Sequence, residues 1–397
     1  MNIKSINLLL FDVISSVGSK IFSFACAFYI LHTTQTSAMY SIFLALIVIS
    51  TVLSQPIFGV LTDKYNNKRI IFVSQIINVI ALIIFIPLYQ SFFHYILIIG
   101  IILNLTDGAI SLVVNANIKN ISQNDMERFI SLRQSYNLAI SILSPIIGGF
   151  LIAFIHIKYL AMLNVATEAI AILIMYFLTI DRVTVSNNNN SMFSDFKEGL
   201  AYLLRNNTFI RFMMIGVILN FLVNAVIVGV PVISIQTWHI SSEQFGIVES
   251  ATTIGMFSMS LLLSVFPIKK KLKGPFQISM LLMFFSILFL GVSLLIQPNP
   301  FQGFIILFLV YLINGIALPL TNIPYSIFLQ TYIDENYKGR VLSLNQSIVL
   351  CITPLSLLIF GFLLNYTQAG LFIAIAVFVF IILCYFTVAF KKDENLQ

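Results

Sequence analysis

The chain has 397 residues, of which 59% are apolar and only 9% are charged. A soluble domain contains about 25% charged residues, so a soluble fold of this length could not cover its surface with so few charges. The composition therefore excludes a cytosolic enzyme, a nucleic-acid-binding module and a disordered protein. The net charge of +6 does not indicate a nucleic-acid partner either, because the basic residues are scattered along the chain.

Twelve apolar runs are long enough to cross a bilayer, which takes about 20 helical residues. Only helices and closed barrels can span lipid, and these runs are too long and too uniformly apolar for barrel strands. We therefore expect an all-α membrane protein with spans near 7–31, 38–61, 69–88, 93–116, 129–155, 159–180, 209–235, 244–267, 275–296, 302–327, 343–365 and 369–390.

The connections between these runs are short, apart from the segment that follows the sixth span. Four consecutive asparagines there precede an amphipathic stretch, FSDFKEGLAYLLRN. This segment divides the chain into two sets of six spans. We expect an N-terminal half over 1–181, a cytoplasmic linker with a short amphipathic helix over 182–208, a C-terminal half over 209–390 and a cytoplasmic tail over 391–397.

The basic residues predict the orientation of the chain. Eighteen of the 21 lysines and arginines lie in segments on the same side as the N-terminus, and only Lys158 lies in a loop on the other side. Cytoplasmic loops carry such an excess of basic residues. We therefore expect a multi-pass protein of the plasma membrane with both termini in the cytoplasm.

Two segments resemble each other at a distance of 212 residues. ERFISLRQS at 127–135 and GRVLSLNQS at 339–347 share five of nine residues, and each opens the fifth span of its half. Coincidence between two low-complexity helices is the alternative, but the pattern favours two related six-helix halves. Parallel repeats of this kind build transporters with a central site at the repeat interface.

The loop after the second span carries the most specific motif. GVLTDKYNNKR at 59–69 resembles the G-x-x-x-D-[RK]-x-G-[RK]-[RK] signature of the major facilitator superfamily, with Asn66 in place of the second glycine. The resemblance covers nearly the whole chain and implies the major facilitator fold, with twelve spans in two halves around a central cavity. Since asparagine tolerates a left-handed backbone, we expect Asn66 to preserve the turn in that conformation.

Asp63 of this motif lies at the end of a helix, where the helix dipole disfavours an anion, so it needs a cationic partner. A charge clasp between helix ends can hold one conformation shut and release in another. The alternative is a solvated turn that only fixes topology. The residues of the expected conformational gate are Gly59, Asp63, Lys64, Lys68, Arg69, Arg128 and Arg340.

A second motif lies in the fifth span. Ser144, Pro145, Gly148 and Gly149 look like the end of the antiporter motif of this superfamily, which accompanies exporters. Small residues also allow ordinary close packing of helices, which is the alternative. Within the superfamily, the segments SAMYS, FKEGLAYLLRNN and GRVLSLNQSI resemble macrolide-efflux-type drug exporters. Exporters of that group carry macrolides, other lipophilic drugs, siderophores or metallophores.

Ionisable residues inside membrane spans are costly and are candidates for function. The spans contain Asp12, Lys20, Asp107, Arg133, Glu168 and Glu249. Asp107, Asp12 and Glu168 are the proton-coupling candidates, because a carboxyl in a membrane cavity can bind and release a proton. The alternative is a static ion pair, for example of Asp107 with Lys20 or Arg133.

Polar residues of the spans are candidates for the wall of a central cavity. Lys20 can either recognise an anionic group of the substrate or neutralise Asp107. The arginine usual in the fourth span is absent, so a coupling role of that arginine cannot be carried over. Interhelical hydrogen bonds are the alternative for the polar residues. The cavity and substrate candidates are Lys20, Asn104, Arg133, Asn220, Asn224, Tyr311, Asn314 and Asn322.

These patterns predict a secondary active exporter of a small molecule, of the drug or macrolide type, that works by alternating access as a proton antiporter. Export of a siderophore or another metallophore and a non-transporting membrane sensor are the alternatives. We expect no enzyme activity, no cofactor and no metal site, since the four histidines fall in separate outer loops and no nucleotide-binding loop is present. The expected partners are the substrate, protons and membrane lipid, without nucleic acid, and the expected functional unit is a monomer.

Overall fold

A computed structural model describes residues 3–90, 94–122, 126–177, 207–266, 272–333 and 338–390. All regular elements in these ranges are helical. The twelve α-helices in these ranges are α1 (Ile3–Thr34), α2 (Ser37–Lys64), α3 (Asn67–Leu88), α4 (Tyr95–Ser122), α5 (Met126–Phe154), α6 (Ile157–Phe177), α7 (Asn207–Val232), α8 (Ser242–Val265), α9 (Lys273–Ile296), α10 (Pro300–Tyr332), α11 (Lys338–Leu363) and α12 (Gln368–Ala389). A π-helical turn, Ile233–Thr237, extends α7.

Each of these helices contains a stretch that is long and apolar enough to cross a membrane. The shortest, α6, has 21 residues and extends over about 30 Å, which matches the hydrocarbon thickness of a bilayer. Lipid offers no partners to backbone N–H and C=O groups, whereas a helix satisfies them internally. The chain is therefore an all-α multi-pass membrane protein, which confirms the predicted fold class.

Helix α12 shows how apolar residues are distributed between the protein interior and lipid. Phe372, Ile375, Val379, Leu383 and Phe386 follow a spacing of three and four residues and are buried. The opposite side of the helix is equally apolar but exposed. A helix that is apolar all round can pack against neighbouring helices on one side and lipid on the other.

The helices group into two compact units. The first contains Met1–Gln35, Phe43–Asn187 and Ser241–Ser250, and the second contains Thr36–Ile42, Asn188–Ile240 and Ala251–Gln397. The first turns of α2 therefore belong to the second unit, and those of α8 belong to the first. Most of the expected linker and the whole expected tail lie outside the described residues, so the domain boundaries drawn from the sequence stay a prediction.

The helix packing of the first unit recurs in the second. In the first unit, α1 packs on α5 and α6, and α3 packs on α4 and α6. In the second unit, α7 packs on α11 and α12, and α9 packs on α10 and α12. Adding six to each helix number of the first set gives the second set, which is the pattern that a duplicated six-helix unit produces.

Each unit has an apolar core near the end at which its first helix begins. In the first unit, Phe11 and Phe129 belong to a buried cluster with aliphatic residues of α3, α4 and α6. In the second unit, the centroid of the Phe212 ring lies 4.5 Å from that of Phe328 and 5.0 Å from that of Phe276. These cores fix the helices within each unit.

The turn between α2 and α3 corrects one expectation. Asn66 has φ −68° and ψ 119°, an extended conformation, so the expected left-handed backbone is wrong. Its side-chain oxygen accepts hydrogen bonds from the backbone N–H groups of Lys68 at 3.0 Å and Arg69 at 3.4 Å. An N-cap residue has extended backbone geometry when it makes such bonds, so Asn66 begins α3 as its cap and does not imitate glycine.

Candidate functional site

Three polar residues of α1 lie on one face of the helix. Asp12, Ser15 and Ser19 are spaced by three and four residues, which places their side chains above one another. All three are buried in the first unit. Asp12 contacts α5, whereas the two serines contact α6. The face therefore joins two separate polar clusters.

The first cluster is a buried ion pair. Arg133 Nε donates to Asp12 Oδ2 at 2.7 Å, and the two side chains are only 13% and 12% exposed. The Tyr136 hydroxyl donates to the same carboxylate oxygen, and Arg133 Nη1 donates to Asn115 Oδ1. A buried charge is tolerated when it is paired and fully hydrogen-bonded. The cluster therefore ties α1, α4 and α5 together, and it engages Arg133 with Asp12 instead of with Asp107.

The second cluster surrounds Glu168 of α6, whose exposed fraction is 0%. Ser15 Oγ donates to Glu168 Oε2 at 3.2 Å, and Ser19 Oγ donates to Glu168 Oε1 at 3.1 Å. Gln75 Nε2 of α3 in turn donates to Ser15 Oγ at 3.3 Å. Within the described part of the chain, no basic side chain forms a salt bridge with Glu168. Hydroxyl groups therefore hold this carboxyl in place.

Asp107 of α4 lines a small cavity in the first unit. The cavity has a volume of about 60 Å³ and is also lined by Ser19, Cys26 and Asn104. Asn104 Oδ1 accepts a hydrogen bond from Thr51 Oγ1 at 2.7 Å, which links α4 to α2. A space of this size suits a water molecule or a small ion, since drug-sized ligands need several hundred Å³.

Lys20 lies near two carboxyls without a direct bond to either. Its Nζ donates to the Ser141 hydroxyl at 2.8 Å. Its charge acts through space on Asp12 and Asp107, and among the residues that the structure describes no carboxylate lies at salt-bridge distance from it. Lys20 therefore offsets negative charge in the first unit without forming a fixed pair.

The second unit contains a larger cavity, with a volume of about 600 Å³. Its polar lining consists of amides and hydroxyls, and none of the described lining residues carries a charge. The polar lining residues are Asn220, Thr321, Asn322, Tyr325, Ser326, Asn345 and Gln346, and the remainder is mainly leucine, valine and methionine. Tyr325 donates to Asn345 Oδ1 at 2.6 Å, which fixes both side chains on the wall. Such a cavity has the size and polarity of a site for a neutral, partly apolar compound.

Of the five cavity candidates in the second unit, three do not line this cavity. Asn224, Tyr311 and Asn314 are buried within the second unit. Asn224 Nδ2 donates to Ser356 Oγ at 2.7 Å, and Asn314 Nδ2 donates to Ser286 Oγ at 3.0 Å. The alternative reading of the two asparagines, as interhelical hydrogen bonds, therefore describes them better than a place on the cavity wall.

The gate motif is described only in part. Four of its candidates lie outside the described side chains, namely Gly59, Asp63, Lys64 and Arg340. Lys68 Nζ donates to the Tyr176 carbonyl oxygen at 2.8 Å, and the last turn of a helix is a favourable position for a cation. Arg69 and Arg128 are exposed. The charge clasp at Asp63 stays a prediction, and the described contact of Lys68 is with α6.

The antiporter-type motif provides close helix contacts within the first unit. Ser144 is 2% exposed, and Pro145 lies inside α5. A methyl group on Gly148 would lie 2.8 Å from the Phe24 ring of α1. A methyl group on Gly246 of α8 would collide with the Pro145 carbonyl oxygen. The glycines therefore allow α5 to approach α1 and α8 more closely than any other residue would.

Replacing Gly149 with alanine should destabilise the protein. The added methyl group would collide with the Ser242 carbonyl oxygen and lie 3.1 Å from Gly246 Cα, and backbone atoms cannot rotate away. Overpacking of this kind costs about 1–3 kcal/mol, so the purified protein should melt at a lower temperature. Gly274→Ala is the matched control, since a methyl group there meets nothing within 4 Å. Equal melting temperatures for the two variants would contradict this packing.

Several residues of these clusters were not predicted from the sequence. Ser15 and Ser19 continue the helical spacing that begins at Asp12, so periodicity was a usable signal for them. Tyr136 lies one turn beyond the intramembrane arginine of the same helix, which is a similar signal. Gln75 stands in an apolar run with no ionisable neighbour, and nothing in the sequence points to it.

The fold and the two cavities define a class of protein. Twelve membrane-spanning helices in two units with the same packing, buried ionisable groups and a drug-sized cavity are features of a membrane transporter and not of an enzyme. The family model of the Major Facilitator Superfamily matches residues 8–354. The chain belongs to the Major Facilitator Superfamily, which confirms the resemblance seen in the sequence.

Relatives by sequence agree with this family, and a solved structure has the same fold. Macrolide efflux protein A of Streptococcus pyogenes is 22% identical over 360 residues, which cover 88% of this chain and 86% of that protein. Macrolide efflux protein A of Enterococcus faecalis is 23% identical over 314 residues, which cover 76% and 94%. The crystal structure of the nucleoside transporter NupG matches with a TM-score of 0.74 at 17% identity, over 99% of this chain and 100% of that one. At this identity the structural likeness shows the fold alone.

Proposed function

We propose that the protein is a secondary exporter of lipophilic small molecules of the macrolide type, driven by exchange with protons. In this proposal the protein lies in the plasma membrane with both termini in the cytoplasm, which the 18 of 21 basic residues on one side support. The observation that carries the proposal is Asp107, an intramembrane carboxyl on the wall of a cavity, with no salt bridge to any described residue.

The three carboxyls predicted as proton-coupling candidates differ in their fitness for proton exchange. Asp12 is engaged in a salt bridge with Arg133, which favours a fixed charge. Glu168 is completely buried and can exchange protons only through its neighbours. Asp107 lines a cavity and has no salt bridge in the described structure. Asp107 is therefore the first candidate for the group that exchanges protons during transport.

The cavity of the second unit supports the substrate class. Its volume of about 600 Å³ lies in the range of sites for drug-sized molecules. Asn322, Asn345 and other neutral polar groups can hydrogen-bond to the hydroxyl and carbonyl groups of a macrolide, while Leu219 and Val223 contact its apolar surface. The relatives named Macrolide efflux protein A support the same class.

Export of a carboxylate-bearing metallophore is the second candidate function. The observation in its favour is Lys20, whose Nζ contacts Ser141 and forms no salt bridge with a described carboxylate. A cation in a membrane span can bind an anionic group. The larger cavity offers such a substrate no charged partner among its described lining residues, which is why we prefer the lipophilic substrate.

Transport by the purified protein in liposomes tests the proposal. An imposed proton gradient should drive erythromycin across the membrane against its own gradient, and a protonophore should stop this movement. Uphill transport that persists after the proton gradient has collapsed would reject the coupling. In cells, overexpression that raises macrolide tolerance and leaves metallophore secretion unchanged supports the first function, and the reverse result supports the second.

Replacing Asn322 with tryptophan should reduce the export of bulky substrates more than that of small ones. Asn322 is exposed on the wall of the larger cavity, and an indole there would occupy part of its volume. We expect export of erythromycin to fall about tenfold, which corresponds to about 1.4 kcal/mol, with a smaller effect on a small lipophilic dye. Ile278→Trp on the exposed side of α9 is the control. Equal losses for both substrates would contradict a role of this cavity in binding.

A further inference from the structure

In the first unit, a buried carboxyl and a partly buried one lie near the same hydroxyl group. Ser19 Oγ donates to Glu168 Oε1 at 3.1 Å. Ser19 and Asp107 both line the cavity of about 60 Å³. Ser19 therefore stands between one carboxyl that borders a cavity and another whose exposed fraction is 0%.

The number of available protons restricts how these groups can bond. A serine hydroxyl donates one hydrogen bond and accepts two, so while Glu168 is ionised the proton of Ser19 is directed to it. Ser15 likewise donates to Glu168 at 3.2 Å, and it accepts from Gln75 at 3.3 Å. A hydrogen bond between Ser19 and Asp107 therefore requires that Asp107 carries a proton and donates it to Ser19 Oγ. If Asp107 loses this proton, Ser19 must turn toward it, and Glu168 loses a donor.

The charged groups near this arrangement are mostly engaged with other partners. The titratable and charged residues that face it from α1, α4, α5 and α6 are Asp12, Lys20, Cys26, Asp107, Arg133, Tyr136 and Glu168, and α3 contributes the neutral Gln75 and Asn78. Arg133 pairs with Asp12, and Lys20 donates to Ser141. Two carboxylates inside membrane spans without a bound cation are costly. One proton held between them removes one of the two charges.

We propose that Asp107 and Glu168 share one proton and exchange it through Ser19. Transfer breaks the O–H bond of Asp107 and forms one at Ser19 Oγ, while Ser19 gives its own proton to Glu168 Oε1. The net result is the movement of one proton and no change in the total charge of the pair. Asp107 is the group that exchanges protons with the cavity, Glu168 is the group that stores one, and Ser19 transfers the proton between them.

The use of this pair in transport rests on the proposed proton antiport, whereas the sharing of the proton does not. While Glu168 holds the proton, Asp107 is free to face the cavity as a carboxylate. While Asp107 holds it, Glu168 depends on Ser15 and Ser19 for its hydrogen bonds. The protonation state of Asp107 is thereby linked to the contact between α1 and α6, which are packed against each other in the first unit.

Infrared difference spectroscopy of the full-length protein in lipid vesicles tests the sharing. A protonated carboxylic acid gives a C=O stretching band that a carboxylate lacks, and titration of this band gives its midpoint. We expect Glu168→Gln to remove one such band. We expect Asp107→Asn and Ser19→Ala each to move the midpoint of the Glu168 band by about one pH unit, which corresponds to about 1.4 kcal/mol. Ser16→Ala is the control on the same helix and should leave the midpoint unchanged.

The spectra test the shared proton, and the transport assay tests the proton antiport, so each proposal can be contradicted without the other. A Glu168 band with the same midpoint in the unmodified protein, in Asp107→Asn and in Ser19→Ala would overturn the shared proton, even if export is driven by protons. A midpoint that shifts in both variants, in a protein whose export ignores the proton gradient, would support the shared proton and reject the antiport. Both measurements use the same vesicles, so a loss of protein from the membrane affects them equally and is visible in the protein content.

Discussion

Replacing Asp107 with asparagine should abolish uphill export while leaving the protein folded in the membrane. Asparagine has nearly the same shape as aspartate but cannot bind or release a proton at this position. The described structure contains no salt bridge of Asp107 that the change would break, so little loss of stability is expected. Removing a group that transfers a proton costs at least about a hundredfold in rate, and we expect a loss of that size in proton-driven export.

Erythromycin movement against its gradient in proteoliposomes measures this effect. Exchange of labelled for unlabelled erythromycin without a proton gradient should continue in Asp107→Asn, because the larger cavity belongs to the second unit and is unchanged. Glu243→Gln, in the first turn of α8, is a matched acid-to-amide control and should keep uphill export. Full uphill export by Asp107→Asn would remove this residue from the mechanism.

Replacing Arg133 with alanine should be the most destabilising of the changes considered for the first unit. The change leaves the Asp12 carboxylate buried without its cation, because the two side chains are only 13% and 12% exposed and bond at 2.7 Å. Breaking one partner of a buried ion pair costs about 3–5 kcal/mol. It also removes the contact with Asn115, so α4 loses its link to α5 at this point.

Thermal melting of the purified variants measures this cost. A double variant, Asp12→Asn with Arg133→Gln, should recover much of the lost stability, since it leaves no unpaired charge. Arg211→Ala is the control, because Arg211 is exposed and surface changes usually stay within about 0.5 kcal/mol. If Arg133→Ala were no less stable than Arg211→Ala, the ion pair would not stabilise the first unit.

The helices could be predicted from the sequence because lipid imposes a strong and simple constraint. An apolar run of about 20 residues has few options other than a helix, so the number of spans and most of their positions followed directly. The turn at Asn66 was harder, since asparagine suits two roles. Its side chain can tolerate a left-handed backbone or cap a helix, and only the position of the Lys68 and Arg69 N–H groups decides between them.

The partners of the intramembrane charges could not be read from the sequence. Lys20 lies about 12 Å from Asp12 along the same helix, so the sequence showed that Asp12 needs a partner elsewhere. The choice of Arg133 depends on how α5 is rotated toward α1, and no local pattern encodes this rotation. The same holds for Asn224, which shares a helix face with Asn220 yet bonds to Ser356 away from the larger cavity.

The uncharged lining of the larger cavity has a consequence for how variants with a different substrate range arise. An apolar surface distinguishes two molecules that differ by one methylene by only about 1–3 kcal/mol, and it rejects an added hydroxyl only weakly. The leucine and valine part of this wall therefore tolerates a broad range of compounds. In the proposed exporter, a single substitution on this wall would then change which compounds are carried without affecting the proposed proton coupling, because Asp107 and the other intramembrane carboxyls belong to the other unit.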